Sequence, residues 1–388
     1  MNQRGFANIA LIIGIVILGG VAGYFVLVRG LKTQPTVQEP QPSNETITTT
    51  GINETSKSLK TAGMLEVKLI KTVAVNKRLF GGSHPKISHD GTRITYRLLG
   101  AGDGGLWVVN MDGNGLKKLT NDIPDGEGTY DFGWSPDDRY IFYVERNDWV
   151  AGVEPVPSSL KVVEVETGTT KILFRAPNRN VGIKSPQYIS QKEIAFILRD
   201  EVNLSNSAVK VIDVNFPEII PPPKRLTLYV WGVKGGTKEE PIQKSVIVAV
   251  NTDGVVKEIA PDEVRSVPSV SSDGKKLGYA YINGIVIMEA DGSNPKTITT
   301  VGGGFPIFSP RDNIFAYYKT RDDGHKLLES DIYIMNVDGT EEKKLTESGN
   351  KLAMEPSWSP DGKKIVFFYA GVQEGENQIG IIELAESN

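Results

Sequence analysis

From about residue 64 the chain repeats one short pattern, and a repeat of this kind restricts the fold more than any other feature. The clearest copy is 355–369, EPSWSPDGKKIVFFY. A short strand ends in Trp358-Ser359, Pro360-Asp361-Gly362 makes a turn, and an apolar strand leaves it. Phe308-Ser309-Pro310-Arg311-Asp312 and Trp134-Ser135-Pro136-Asp137-Asp138 lead into apolar runs in the same way. Residues 87–91 and 270–274 are weaker copies, and 186–193 is the most degraded. Proline pre-sets φ and glycine accepts positive φ, which is tight-turn chemistry. A second pattern follows downstream: LWVVNMDGNGLKKLT (106–120), VIVAVNTDGVVKEIA (246–260), IVIMEADGSNPKTIT (285–299) and IYIMNVDGTEEKKLT (332–346), with LKVVEVETGTTKILF (160–174) as a variant. Each reads as a strand, an Asp-Gly hairpin turn and a second strand. Joined, the two patterns make units of four short antiparallel strands, the blade of a β-propeller.

Serines opening the first turn lie at 88, 135, 190, 271, 309 and 359, so the repeat predicts an all-β domain of six blades. The last copy stops after a third strand at 379–384, and the unassigned run 65–75 is expected to pair with it and close the ring. The interval from 190 to 271 is long. It reads as an insertion near 199–244 in the third blade, with a degenerate seventh blade as the alternative. Trp134, Phe308 and Trp358 share one repeat position and are expected to pack between blades. The pairing of P-x-W-S-P-D-G-x-x-I-x-F with I-Y-x-M-N-x-D-G resembles the WD40-like repeats of the TolB carboxy-terminal β-propeller, over residues 64–388. That resemblance implies a binding role in the cell envelope; the same repeat also occurs as an accessory domain of peptidases.

Ahead of the repeat the composition changes. Residues 5–28 carry no charge, and 8–28 (NIALIIGIVILGGVAGYFVLV) is long enough to cross a membrane as one helix. A cleaved signal peptide is the competing reading, but Ala22-Gly23-Tyr24 fits a small-residue cleavage site poorly. Residues 1–7 then form a stub, and 29–63, rich in Pro and Thr and without an aromatic from residue 31, form a disordered tether. A short stub before a span and a large domain after it predicts a signal anchor in the cytoplasmic membrane, with the propeller on the outer side. Gly19 and Gly23 have the spacing that lets membrane helices approach closely.

The chemical inventory excludes several classes. With no cysteine there is no disulfide, thiolate nucleophile or Cys-ligated metal, and three histidines make a poor multi-His centre. A net charge of −4 gives no footprint for nucleic acid. No G-x-S-x-G, H-E-x-x-H or P-loop occurs. Ser83 and His84 are adjacent, but neighbours in an extended chain point to opposite faces. Asp122, Asp125, Glu127 and Asp131 offer oxygen ligands for Ca²⁺ without the D-x-D-x-D-G spacing, so no cofactor is expected.

What remains is recognition. Trp149 and Trp231 lie outside the repeat frame, in long connections, and with Tyr229 and Arg146 they are the candidate partner-binding residues. The expected function is a membrane-anchored, extracytoplasmic binding module for an envelope protein or peptide. The alternative is an envelope hydrolase acting on glycans or peptides through carboxylates and arginines at the channel mouth, among Asp131, Glu145, Arg146, Arg265, Asp322 and Asp323.

Overall fold

The computed structural model describes Ala62, residues 65–74 and most of 84–386; the longer stretches outside the described residues are 1–61, 75–83, 121–130, 148–155, 235–243 and 372–377. The expected stub and membrane helix fall outside them, as does the expected tether except Ala62, which is buried and donates its N–H to Asn336 Oδ1 at 2.7 Å. Among the described residues no helix is long and apolar enough to cross a membrane.

Every repeat folds as an antiparallel sheet whose strands follow chain order. Blades 1 to 5 stand as separate sheets over residues 86–118, 132–175, 181–220, 227–260 and 269–299. Blades 6 (303–344) and 7 (351–386 with 65–74) are antiparallel four-stranded groups joined into one eight-stranded sheet by a single parallel pair, Ser330 with Leu352. The six-blade expectation is therefore corrected. Residues 199–244 are not an insertion. Ala208–Asp213 and Ile219–Ile220 complete blade 3, and Thr227–Lys234 pairs with Lys244–Asn251 in blade 4. Blade 4 has three strands among the described residues, and the sequence 235–243 between the first two holds no serine, so a count of serine turns misses it.

Packing gives the same count. Among the described residues seven buried apolar clusters occur, one at each junction between successive blades. Phe132 and Trp134 of blade 2 pack on Leu106 and Val108 of blade 1, for example, and Val366 and Phe368 of blade 7 pack on Ile94 and Tyr96 of blade 1. Trp134, Phe308 and Trp358 are all buried, as their shared position predicts. The Trp134 indole donates to the Lys86 carbonyl of the preceding blade at 3.1 Å, and Trp358 donates to Ile307 in the same way at 3.0 Å.

Two repeated devices hold the turns and the outer rim. In the serine turns the hydroxyl donates to the aspartate two residues on, at 2.6 Å for Ser88, 2.6 Å for Ser135, 2.7 Å for Ser271 and 2.5 Å for Ser359. Asp138 stands where blades 1, 5 and 7 have glycine; its φ is +57°, and its carboxylate accepts the backbone N–H groups of His89 and Asp90 from blade 1. On the rim, lysines of the last strand of a blade reach carbonyls of the next blade: Lys117 to Val165 at 2.9 Å, Lys257 to Asp291 at 2.8 Å and Lys296 to Asp338 at 3.0 Å.

The ring is closed by the chain's own beginning. Leu65–Ala74 runs antiparallel to Gln378–Glu386, from Leu65 opposite Glu386 to Ala74 opposite Gln378. It forms the outer strand of blade 7, as the sequence predicts. Lys343 of blade 6 donates to the Leu65 carbonyl at 2.5 Å.

Candidate functional site on the inner strands

First strands touch one another from blade 5 through 6, 7 and 1 to 2, so they form the inner wall of the ring. Three residues before the turn-opening position, or four in blade 3, this wall repeats proline: Pro85, Pro186, Pro268, Pro306 and Pro356, with Phe132 in blade 2. The residue immediately before it changes from blade to blade: His84, Asp131, Ser185, Val267, Phe305 and Glu355. Four of these have left-handed backbones, His84 at φ +40°, Ser185 at +49°, Phe305 at +31° and Glu355 at +57°. A residue before proline is pushed toward extended conformations, so each is strained, by about 1–3 kcal/mol. In blades 3, 6 and 7 the strand register slips at this point, as a bulge requires.

These positions converge in blades 6, 7, 1 and 2. The His84 N–H donates to Glu355 Oε2 at 3.0 Å, and His84 Nδ1 lies 4.0 Å from the same oxygen. The Phe305 ring meets the imidazole edge-on with centroids 6.5 Å apart, and packs on Tyr318 at 6.0 Å. Lys86 donates to the Phe132 carbonyl at 2.5 Å and sits 5.1 Å over its ring. Arg97 is buried and near enough to act on the charge of His84. Burial pushes the His84 pKa below its ordinary value, with Lys86 and Arg97 adding to the effect and Glu355 and Asp131 opposing it, so the ring is neutral at pH 7. Burial likewise lowers Lys86, with Asp131 working against it. The cluster thus combines two carboxylates, a neutral imidazole and an aromatic face in partly enclosed surroundings, where electrostatic contacts are stronger than in water.

Of the candidates read from sequence, only Asp131 belongs to this cluster. Tyr229 and Trp231 are not in a connection: both lie on Thr227–Lys234, opposite Ala249 and Ile247. The alternating LYVW run is the first strand of blade 4 among the described residues, hidden from the repeat because no serine turn follows it in the sequence. Tyr229 is half-buried, its hydroxyl donates to the Ala290 carbonyl of blade 5 at 3.2 Å, and burial raises its pKa. Arg146 is on Tyr140–Asn147, while Trp149 and Arg265 lie outside the described residues. Glu145 pairs with Lys161 across adjacent strands at 2.5 Å. Asp122, Asp125 and Glu127 also lie outside, and among the described residues no group of three or more acidic or histidine side chains is placed to hold a metal. His84, Phe305 and Glu355 were missed, although aligning the copies on proline would have found them: the signal is a varying residue beside a repeated one.

No family model matches the chain, and no curated protein matches it. Solved structures do. The β-propeller domain of the trilobed protease from Pyrococcus furiosus, described as having an open velcro topology, aligns with a TM-score of 0.52 at 15% identity, over 78% of this chain and 96% of that one. A TolB from Agrobacterium tumefaciens aligns at 0.43 and 16% identity, over 79% and 90%. Two prolyl endopeptidases are represented by a match at 0.49 and 14% identity, over 82% and 48%. At such identities the likeness is one of fold, and the fold is a β-propeller.

Proposed function

We propose that this propeller is a binding module for a protein or peptide, carried on a membrane anchor at residues 8–28 and displayed outside the cytoplasmic membrane as part of a prokaryotic envelope. One observation carries the binding role. Five blades keep a proline on the inner wall while the residue before it ranges over imidazole, hydroxyl, aromatic and carboxylate, at a backbone cost. Sequence that is repeated for folding and varied at a strained, inward position is what a rigid scaffold with one recognition surface requires. The uncharged run and the tether support the anchor and its orientation, and Trp149, Trp231, Tyr229 and Arg146 extend the proposed contact surface.

A second reading, an envelope hydrolase, draws on Asp131 and Glu355 flanking His84. Capture from crosslinked envelope extracts with the full-length protein separates the two. The binding role predicts a retained partner whose recovery falls in Phe305→Ala or in Trp149→Ala with Trp231→Ala. A folded protein that retains nothing contradicts it, and cleavage of peptides or glycans abolished by Glu355→Gln favours the hydrolase.

A further inference from the structure

We infer that the inner edge of blade 4 accepts an extended peptide of a partner as an added antiparallel strand. The inference rests on the binding role and names the form in which the partner is read. In the other six blades a first strand pairs with the inner edge of a second. In blade 4 the hairpin 246–260 follows Thr227–Lys234 as it follows second strands elsewhere, and among the described residues no strand pairs with the far side of Thr227–Lys234. The sequence offers little to fill that place. A first strand and its turn take 132–139 in blade 2, whereas only 221–226 separate Ile220 from Thr227, and Pro221, Pro222 and Pro223 have no N–H to give a ladder.

The direction of the backbone groups identifies the stretch that can pair. The Leu226 carbonyl accepts from the Thr252 N–H at 3.0 Å, on the side of Lys244–Asn251. Backbone groups alternate sides along a strand, so those of Thr227, Tyr229, Trp231 and Val233 point to the inner edge. The Ser185 hydroxyl of blade 3 donates to the Tyr229 carbonyl from that edge at 2.8 Å, so the added strand pairs beyond it, at Trp231 and Val233. So short a ladder is enough, since first strands pair at two positions in blade 1 and three in blade 2. The edge is also unblunted. Residues 227–233 (TLYVWGV) carry no charge and no proline and pair without a register shift. The ring's other long edge, Leu65–Ala74, has a register shift at Lys68 and a second lysine at Lys71, the usual protection against strand addition. Six covered counterparts thus define the occupant: an extended antiparallel segment held by main-chain hydrogen bonds.

The probe is a synthetic peptide of residues 129–135 (TYDFGWS), capped at both ends, because 131–135 cover the second strand of blade 2. There the Asp131 carbonyl accepts from Val144 at 3.1 Å and the Ser135 N–H donates to Tyr140 at 2.8 Å. The full-length protein in detergent is labelled at its five tryptophan amides, assigned with Trp231→Phe, and their hydrogen exchange is followed. Without peptide the Trp231 amide should exchange fast, and that of Trp107, on a strand paired on both sides, slowly. Peptide at about ten times its Kd should slow Trp231 about tenfold, because only the free fraction exchanges. N-methylation of the peptide's glycine, whose N–H lies on the pairing side, should abolish the effect; N-methylation of its phenylalanine should not. Val233→Pro should remove binding from the folded protein, since the lost N–H faces the edge. The two methylated peptides carry the same test should that variant fail to fold. A Trp231 amide already protected in the free protein, no slowing by the peptide, or equal loss from the two methylations overturns the inference. Partner capture that survives any of these results leaves the binding role standing with another mode of recognition.

Discussion

Blades 7 and 4 contain the same three-strand core but differ in what surrounds it. Blade 7 has the full serine-aspartate turn, an inner-wall tryptophan bonded to blade 6, and an outer strand supplied from the far end of the chain. Blade 4 has none of these among the described residues, yet its strands pair over eight positions, from Thr227 with Asn251 to Lys234 with Lys244. Val230, Val246, Val248 and Val250 bury as completely as the corresponding side chains of blade 7. The contrast teaches that alternation of apolar residues makes a blade. The turn motif only fixes its register and its edges.

The largest effect that separates the two blades is loss of the closing strand. Removing 64–76 should expose the edge of Gln378–Glu386 and open the junctions on both sides of blade 7, at a cost of at least about 5 kcal/mol, with aggregation. Removing 33–60 should leave the melting temperature unchanged. Equal destabilisation by the two deletions, measured by thermal unfolding, would rule out closure.

Trp358→Ala comes next. It empties the junction of blades 6 and 7 and breaks the bond to Ile307, so about 3–5 kcal/mol should be lost. The matching truncation in blade 4, Val230→Ala, removes less volume and no hydrogen bond, and about 1–2 kcal/mol is expected. Urea midpoints that rank the two in reverse would show that blade 4 bears more of the stability than its motif suggests.

Gly339→Ala probes the hairpin end of blade 6. The glycine has φ +88°, and a Cβ there would meet Ile298 Cγ2 of blade 5 at 2.7 Å, so strain and a clash together should cost about 1–3 kcal/mol. Asp361 gives a smaller, pH-dependent effect. Its partial burial alone would raise the pKa, but bonds from Ser359 and the Lys363 N–H hold it below the ordinary carboxylate value; Asp90 and Asp273 behave alike. A lowered folded-state pKa contributes stability above the unfolded value near ~4, and that contribution is lost as pH falls through the folded value. Hydrogen exchange below that pH should therefore rise in the serine turns of blades 1, 5 and 7 before it rises in blade 4. Uniform loss of protection would contradict the turn chemistry.

The same contrast explains what could be read from sequence. Closure by 65–75 was legible because 379–384 lacked a fourth partner and only one unassigned run could supply it. The packing of Trp134, Phe308 and Trp358 followed from a shared repeat position. Blade 4 was not legible as a blade because no serine-proline-aspartate motif follows Thr227–Lys234 in the sequence. The inner-wall cluster was hidden for a different reason. His84, Phe305 and Glu355 are distant in sequence and belong to no catalytic motif, and only ring closure brings them together.

That closure can be measured directly, because a chain without cysteine makes an introduced pair unambiguous. Glu66 and Ala385 face each other across Leu65–Ala74 and Gln378–Glu386. Directly opposed residues of an antiparallel pair have Cα atoms roughly 4.5–5.5 Å apart, within the range a disulfide spans. In Glu66→Cys with Ala385→Cys, mild oxidation should form one intramolecular bond quantitatively and raise the melting temperature, while Glu66→Cys with an exposed blade 4 position such as Glu258→Cys should stay reduced. Failure of the first pair to bridge in the folded monomer, or bridging only between molecules, would contradict a propeller closed by its own first strand.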